Sequence, residues 1–213
     1  MDRASDVVAP TRRRYRSAGR AEAAAATREA VVAAFAAQLA ERPTPELDLP
    51  RAAADAGVSL RTVYPHFPDQ PARLAAVAGW AEHRLGPLEP IAGVDDLVAH
   101  VRRAYAQVAR QPGVARALRV ASAGDAPRRR RLRGRHLEVA ALLTGIGAPP
   151  GPTIRATAVI ALLASPETCV TLQEVFELPA DDAAEAAAHS VAALVEDLRA
   201  RRRAWEDAPR GRH

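Results

Sequence analysis

The chain has 213 residues with 30 basic and 25 acidic side chains, and every basic residue is arginine because no lysine occurs. No apolar run approaches the roughly 20 residues that a membrane helix needs, so the composition argues against an integral membrane protein. The single cysteine, Cys169, rules out an internal disulfide and a multi-thiolate metal site. Residues 1–20 are polar and lack an apolar core, so we expect no signal peptide there. Abundant Ala, Leu and Arg favour an all-α fold.

The first half of the chain predicts four helices separated by proline and glycine. The first carries an apolar stripe at helical spacing. Asp48, Ser59 and Asp69 stand where N-cap residues belong, directly before the next three helices. Gly57 stops the second helix and allows a tight turn into the third. The predicted spans are 21–41, 49–56, 60–66 and 70–86.

The second half predicts longer amphipathic helices. A change in composition between Gly86 and Gly93 suggests a domain boundary. A break at Ser165-Pro166 divides one of the later helices, and no segment has the alternation of a strand. The predicted spans are 95–111, 114–121, 128–146, 153–178 and 181–205.

The stretch from Asp48 to Gln70 is the most informative part of the sequence. It reads as a helix-turn-helix, with Ser59 capping a second helix whose first residues would enter the major groove of DNA. The outward positions of that helix are Leu60, Arg61, Thr62, Tyr64 and His66. The alternative is a pair of core helices in some other helical protein.

Each outward side chain suggests a contact with DNA. Arg61 has the geometry to bind guanine O6 and N7, and Thr62 can meet a base edge or a thymine methyl group. Tyr64 and His66 can hold phosphates.

The run from Ala56 to Phe67, AGVSLRTVYPHF, resembles the DNA-binding signature of the TetR family of transcriptional regulators. Its position one helix after the N-terminus fits that family, and Thr27-Arg28 resembles the start of the family's first helix. The stretch from Leu162 to Thr168, followed by an Ala-rich last helix, is similar to many members. The resemblance implies an all-helical homodimer. Its first three helices would bind DNA, and its C-terminal helices would form an effector pocket and the dimer interface.

Two positions depart from the family pattern. Pro65 stands where a basic or aromatic residue is common, and Gln70 stands where a lysine usually opens the fourth helix. Both positions commonly touch phosphate in relatives, so their loss should weaken sequence-independent affinity. Arginines near the N-terminus can compensate from a narrow minor groove, or they form a solvated tail. The predicted DNA-binding residues are Asp48, Ser59, Leu60, Arg61, Thr62, Tyr64, His66, Gln70, Arg12, Arg13 and Arg14.

Three residues are candidates for the effector pocket. Tyr105 and His136 fall on the apolar faces of their helices and can line a pocket or fill the core. Cys169 is the third candidate, although small core filler is its simpler interpretation and redox sensing a further one. The run Arg128–Arg131, together with Arg133 and Arg135, is interpreted as a solvated helix face, with a second nucleic-acid contact or an anionic ligand as the alternative.

Catalytic motifs are absent from the sequence. Gly145-Ile146-Gly147 resembles the start of a dinucleotide loop, but Pro150 replaces the third glycine. Without lysine there is no P-loop and no Schiff base, and no two histidines stand four residues apart for a metal. We therefore expect neither an enzyme, nor a cofactor, nor a metal site.

The sequence predicts a one-component transcriptional regulator. We expect a repressor that an unknown small-molecule effector releases from a palindromic operator in double-stranded DNA. It would be a cytoplasmic homodimer, paired through its last two helices and without contact to a membrane. The alternative is a helical dimeric ligand-binding protein with impaired DNA binding, for which Pro65 and Gln70 are the support. We predict a flexible arginine-rich arm over 1–19 and a DNA-binding domain over 20–86. An effector-binding and dimerisation domain follows over 87–205, and a tail over 206–213.

Overall fold

The computed structural model describes the backbone of residues 11–122 and 125–207, and the side chains of residues 21–122 and 128–207. Every regular element within these ranges is helical, which confirms the all-α prediction. A 3-10 turn, Val94–Asp96, precedes the fifth α-helix. The α-helices are α1 (Thr11–Glu41), α2 (Leu49–Asp55), α3 (Leu60–His66), α4 (Gln70–Leu85), α5 (Leu97–Arg110), α6 (Pro112–Ala121), α7 (Asp125–Thr144), α8 (Pro150–Leu163), α9 (Pro166–Glu174) and α10 (Ala180–Asp207).

The first helix differs most from its predicted span. It begins at Thr11, ten residues before the predicted start, so residues 11–19 of the predicted flexible arm are helical. Residues 1–10 lie outside the described part of the chain. The physical reason is propensity: Arg and Ala favour helix, and Gly19 costs only about 1 kcal/mol relative to alanine.

The short helices begin where the sequence predicts, because their caps form. The side chains of Asp48, Ser59 and Asp69 each accept a hydrogen bond from the backbone N–H three residues later, at 3.0, 3.2 and 2.8 Å. Each such cap contributes about 1 kcal/mol. The positions of α2, α3 and α4 are therefore determined by local chemistry.

A continuous hydrophobic core joins the N-terminal helices to the rest of the chain. The predicted stripe of α1 is buried, with Phe35 and Leu39 fully inside. Helix α6 packs against α1 and α4 on one side and against α9 on the other. Helix α10 packs against α5 and α8, and α7 packs against α8.

Membrane-spanning potential is low in the part of the chain that the structure describes. No single helix there is both long enough and apolar enough to cross a bilayer. Helices α8 and α9 reach that length and hydropathy only as a pair, with a bend of 67° between them.

Candidate nucleic-acid interface and ligand cavity

Helices α2 and α3 are held together by a tight turn. Gly57 has a φ of +66°, a left-handed conformation that side-chain-bearing residues rarely adopt. The Val58 N–H donates to the Ala53 carbonyl at 2.9 Å, which folds the chain back against α2. Ala52 and Ala53 of α2 and Val63 of α3 are buried where the two helices meet the core. The turn therefore fixes which face of α3 points outward.

The outward face of α3 carries three exposed polar side chains. Arg61, Tyr64 and His66 are exposed, and Tyr64 keeps 52% of its surface accessible. Leu60 is half-buried against the core, so it does not project freely as predicted. Thr62 is also half-buried, and its hydroxyl lies 2.8 Å from that of the cap residue Ser59. Arg61, Tyr64 and His66 are thus the most available of the predicted contacts.

Asp48 and Gln70 form hydrogen bonds that connect neighbouring segments of this region. Besides capping α2, Asp48 exchanges two backbone hydrogen bonds with the side chain of Gln38, at 2.8 and 2.9 Å. Gln70 Nε2 donates to the Pro45 carbonyl at 3.0 Å, which ties the start of α4 to the loop before α2. Both residues help to position the helices, and both side chains are also exposed.

Gln38 is a positioning residue that sequence reasoning missed. Its side chain is only 4% exposed, yet it supplies both a donor and an acceptor to the chain entering α2. Buried polar groups are normally hydrogen-bonded, and here the partner is a loop backbone. A polar residue next to the apolar Leu39 of the α1 stripe was the available signal.

The remaining predicted contacts lie at the edges of this surface. Arg12, Arg13 and Arg14 fall in the first turns of α1, and their side chains lie outside the description. Pro65 lies inside α3 without ending it, since the Phe67 N–H still donates to the Val63 carbonyl at 3.0 Å.

The structure does not bring the three predicted pocket residues together around one cavity. Tyr105 is buried, and its hydroxyl donates to the Leu163 carbonyl at 2.9 Å. His136 is half-buried and lines a groove between α7 and α8. Burial raises the pKa of the Tyr105 phenol. Tyr105 therefore fills the core, with its one donor satisfied.

Cys169 is a buried thiol with no exposed surface. Gln173 Nε2 lies 3.0 Å from its Sγ, and burial raises the pKa of the thiol to about 11. At pH 8 only about one molecule in a thousand would carry the reactive thiolate.

We expect Cys169 to react with a thiol reagent at pH 8 at least about a hundredfold more slowly in the folded protein than in denaturant. The free thiol has a pKa near 8.5 and a much larger thiolate fraction. Absorbance of the released thiol-reagent anion measures both rates. Equal rates would mean that the side chain is accessible and would revive the redox interpretation.

A cavity of about 430 Å³ lies between the end of α4 and helices α5, α6 and α7. Its walls combine apolar side chains with charged and polar ones. They are Glu82, Leu85, Gly86, Leu88, Glu89, Pro90, His100, Gln107, Leu118, Arg131, Arg135, Glu138 and Pro166. The volume is within the roughly 300–1,000 Å³ of small-molecule sites. None of the three predicted pocket residues lines it.

Part of the arginine run on α7 turns towards this cavity. Arg128, Arg129 and Arg130 are exposed, as a solvated helix face requires. Arg131 and Arg135, four residues apart, line the cavity instead. Residues at this spacing share one helix face, so the run divides between solvent and interior.

Arg131 links three elements around the cavity. Its guanidinium donates to Glu167 Oε1 and to Ser122 Oγ, both at 2.6 Å, and also pairs with Glu82 of α4. Glu167 and Ser122 are buried, so Arg131 supplies the positive charge and the donor that they need.

Within the described residues, no group of three or more His, Cys, Asp and Glu side chains is placed to hold a metal ion. The chain matches no protein-family model, no curated protein and no solved structure.

Proposed function

We propose that the protein is a DNA-binding transcriptional regulator that reads DNA with α3. The observation that carries the proposal is the exposure of Arg61, Tyr64 and His66 on a capped helix whose opposite face is anchored in the core. An arginine, a phenol and an imidazole suit base-edge and phosphate contacts. The resemblance of residues 56–67 to the TetR signature supports the same interpretation.

The regulator is proposed to act as a dimeric repressor. Two copies of α3 would meet half-sites one helical turn apart, roughly 34–36 Å, so the operator would be palindromic. An effector would release the DNA only if it binds better to the form whose two α3 helices no longer fit that spacing.

Apolar side chains on α8 support the proposed dimer through the last two predicted helices, 153–178 and 181–205, which correspond to α8 with α9 and to α10. Ile154, Val159 and Leu162 are exposed, and Ile154 keeps 65% of its surface accessible. Leu137 of α7 is exposed as well and shares a groove with Leu162. Exposed apolar patches of this kind mark interaction surfaces.

Charge introduced on this face should separate the subunits. We expect Ile154→Glu to weaken self-association at least about tenfold, because a carboxylate would be buried without a partner. Sedimentation equilibrium measures the association constant, and Arg110→Glu, at an exposed arginine of α5 outside the proposed interface, is the control for added negative charge. An unchanged association constant for Ile154→Glu would exclude this face as the dimer interface.

Enrichment from a randomised duplex pool tests the proposed function. The purified chain should enrich a palindrome with half-sites one turn apart, and its affinity should fall steeply with salt. Weak binding without any enriched sequence would contradict the proposal.

Arg61→Ala should reduce affinity for the enriched operator by about 1–3 kcal/mol and relax the preference at one base pair of each half-site. The physical reason is the loss of a bidentate contact to guanine. Fluorescence anisotropy with a labelled operator measures the change. Arg110→Ala removes an exposed arginine of α5, outside both α3 and the proposed dimer face, and should leave affinity unchanged. Equal losses in the two variants would assign Arg61 only a general charge effect.

The second candidate is a helical dimeric ligand-binding protein with impaired DNA binding. It is favoured by Gln70, whose amide is engaged with the Pro45 carbonyl, and by Pro65, which offers no basic group. Enrichment restored by Pro65→Lys together with Gln70→Lys would identify these two positions as the cause of the impairment.

A further inference from the structure

The cavity beside α4 contains buried hydrogen-bonding atoms without partners. Arg135 Nη1 and Arg131 Nε are buried and have no hydrogen-bond partner among the described residues, and the same holds for His100 Nδ1. His100 as a whole is only 6% exposed. An unsatisfied buried donor costs about 1–3 kcal/mol, and more when it is charged. These three cavity-lining side chains therefore have hydrogen-bonding capacity that no described protein atom uses.

Arg135 differs from its neighbour Arg131 in being poorly compensated. Arg131 holds two carboxylates, whereas no ion pair is formed by Arg135 within the described chain. Burial, together with the nearby charge of Arg131, lowers the pKa of Arg135 despite the acidic Glu167 and Glu138 in its surroundings. A half-buried cation without an ion-pair partner is stabilised by an anion that enters the site.

The same surroundings leave His100 uncharged. Burial lowers the pKa of its imidazole, and the nearby Arg103 and Arg135 lower it further, against the opposite effect of Glu138 and Asp96. The neutral ring still offers one N–H donor. Since Arg131 is already paired with two carboxylates, the site presents one unpaired cation, Arg135, and one neutral donor, which suits a singly charged group better than a phosphate.

Three leucines give the cavity an apolar surface beside these polar groups. Leu85 and Leu118 are buried and Leu88 is half-buried, and all three line the cavity. The two other acidic lining residues, Glu89 and Glu138, are exposed, so water screens their charge. A ligand with an apolar body and one acidic end fits this division.

We propose that this cavity binds a small organic carboxylate. Its carboxylate accepts from Arg135 and His100, and its apolar body packs against Leu85, Leu88 and Leu118. The identification of this ligand as the effector rests on the proposed function, but its binding does not.

Isothermal titration of the full chain, without DNA, tests the proposal. The probes are straight-chain carboxylates from hexanoate to dodecanoate and 4-phenylbutyrate, each compared with its primary amide. We expect at least one carboxylate to saturate one site per chain, and its amide to bind at least about tenfold more weakly because it lacks the charge that Arg135 binds. No binding across the series, or equal binding of the amide, would overturn the proposal.

Three variants test the assigned residues. Arg135→Gln should weaken the carboxylate at least about tenfold while leaving the amide unchanged, because only the charged group loses its partner. Arg133→Gln removes an exposed arginine two residues away and should have no effect. Leu88→Trp fills the cavity and should abolish binding of both probes. Thermal melts establish that each variant folds, and carboxylate binding retained in Leu88→Trp would place the ligand elsewhere.

The outcomes separate this proposal from the proposed function. Carboxylate binding without any enriched operator would support the ligand site and contradict the proposed regulator function. An enriched operator without carboxylate binding would support the proposed regulator and overturn the proposed ligand site.

Discussion

Replacing Phe67 by alanine should lower the free energy of unfolding by about 3–5 kcal/mol. Phe67 is 1% exposed and meets the ring of Phe35 edge-to-face, with 5.5 Å between the centroids. The Arg28 guanidinium lies over the Phe67 ring, 5.2 Å from its centroid. Since Phe67 also ends α3, the substitution removes the anchor of that helix together with core packing. Urea unfolding followed by circular dichroism measures the change.

Tyr64→Ala is the matched control, because it removes an aromatic ring from the exposed face of the same helix. We expect its stability to change by no more than about 0.5 kcal/mol. Its affinity for the enriched operator should nevertheless fall, since Tyr64 is one of the proposed phosphate contacts. Two substitutions with equal effects on stability would contradict the assignment of one buried and one exposed face.

Arg131→Met should destabilise the protein by about 3–5 kcal/mol. The substitution leaves the carboxylate of Glu167 buried without its cation and the Ser122 hydroxyl without its donor. Removing one partner of a buried pair costs far more than the pair itself contributes. The urea midpoint of the variant measures the loss.

A double-mutant cycle distinguishes the buried pair from a general effect of charge. Arg131→Met combined with Glu167→Leu should recover most of the lost stability, because no unpaired carboxylate is then left inside. Exposed Arg130→Met on the same helix should change stability little. Additive losses in the double variant would show that the two side chains do not depend on each other.

Local chemistry explains which parts of the fold were predictable. The boundaries of α2, α3 and α4 follow from caps and turns that lie within three residues of the helix ends, so Asp48, Ser59 and Asp69 were sufficient. The start of α1 was not predicted, because helix propensity continues through the arginine-rich segment without a stop signal. Helical period correctly placed Arg61, Tyr64 and His66 outward, but it did not predict that Leu60 and Thr62 are half-buried.

The cavity could not be predicted from the sequence. Arg131 is 49 residues from Glu82 and 36 residues from Glu167 in the sequence. Nothing in the local sequence of the three residues indicates that they meet. Helical period correctly placed Tyr105 on an inward face, but it cannot distinguish a core position from a pocket wall. That distinction depends on the opposite helix, where the Leu163 carbonyl accepts from the Tyr105 hydroxyl.

The position of α6 makes the change in composition near Gly86 a poor place to cut the chain. Arg116 of α6 reaches the Ala40 carbonyl at the end of α1 and also pairs with Glu174 of α9. A fragment ending at Gly86 would lose α6 and leave bare the apolar sides of α1 and α4 that it covers. We therefore expect the N-terminal helices to be unstable as an isolated fragment, because α6 supplies part of their apolar packing. The two halves of the chain should unfold together.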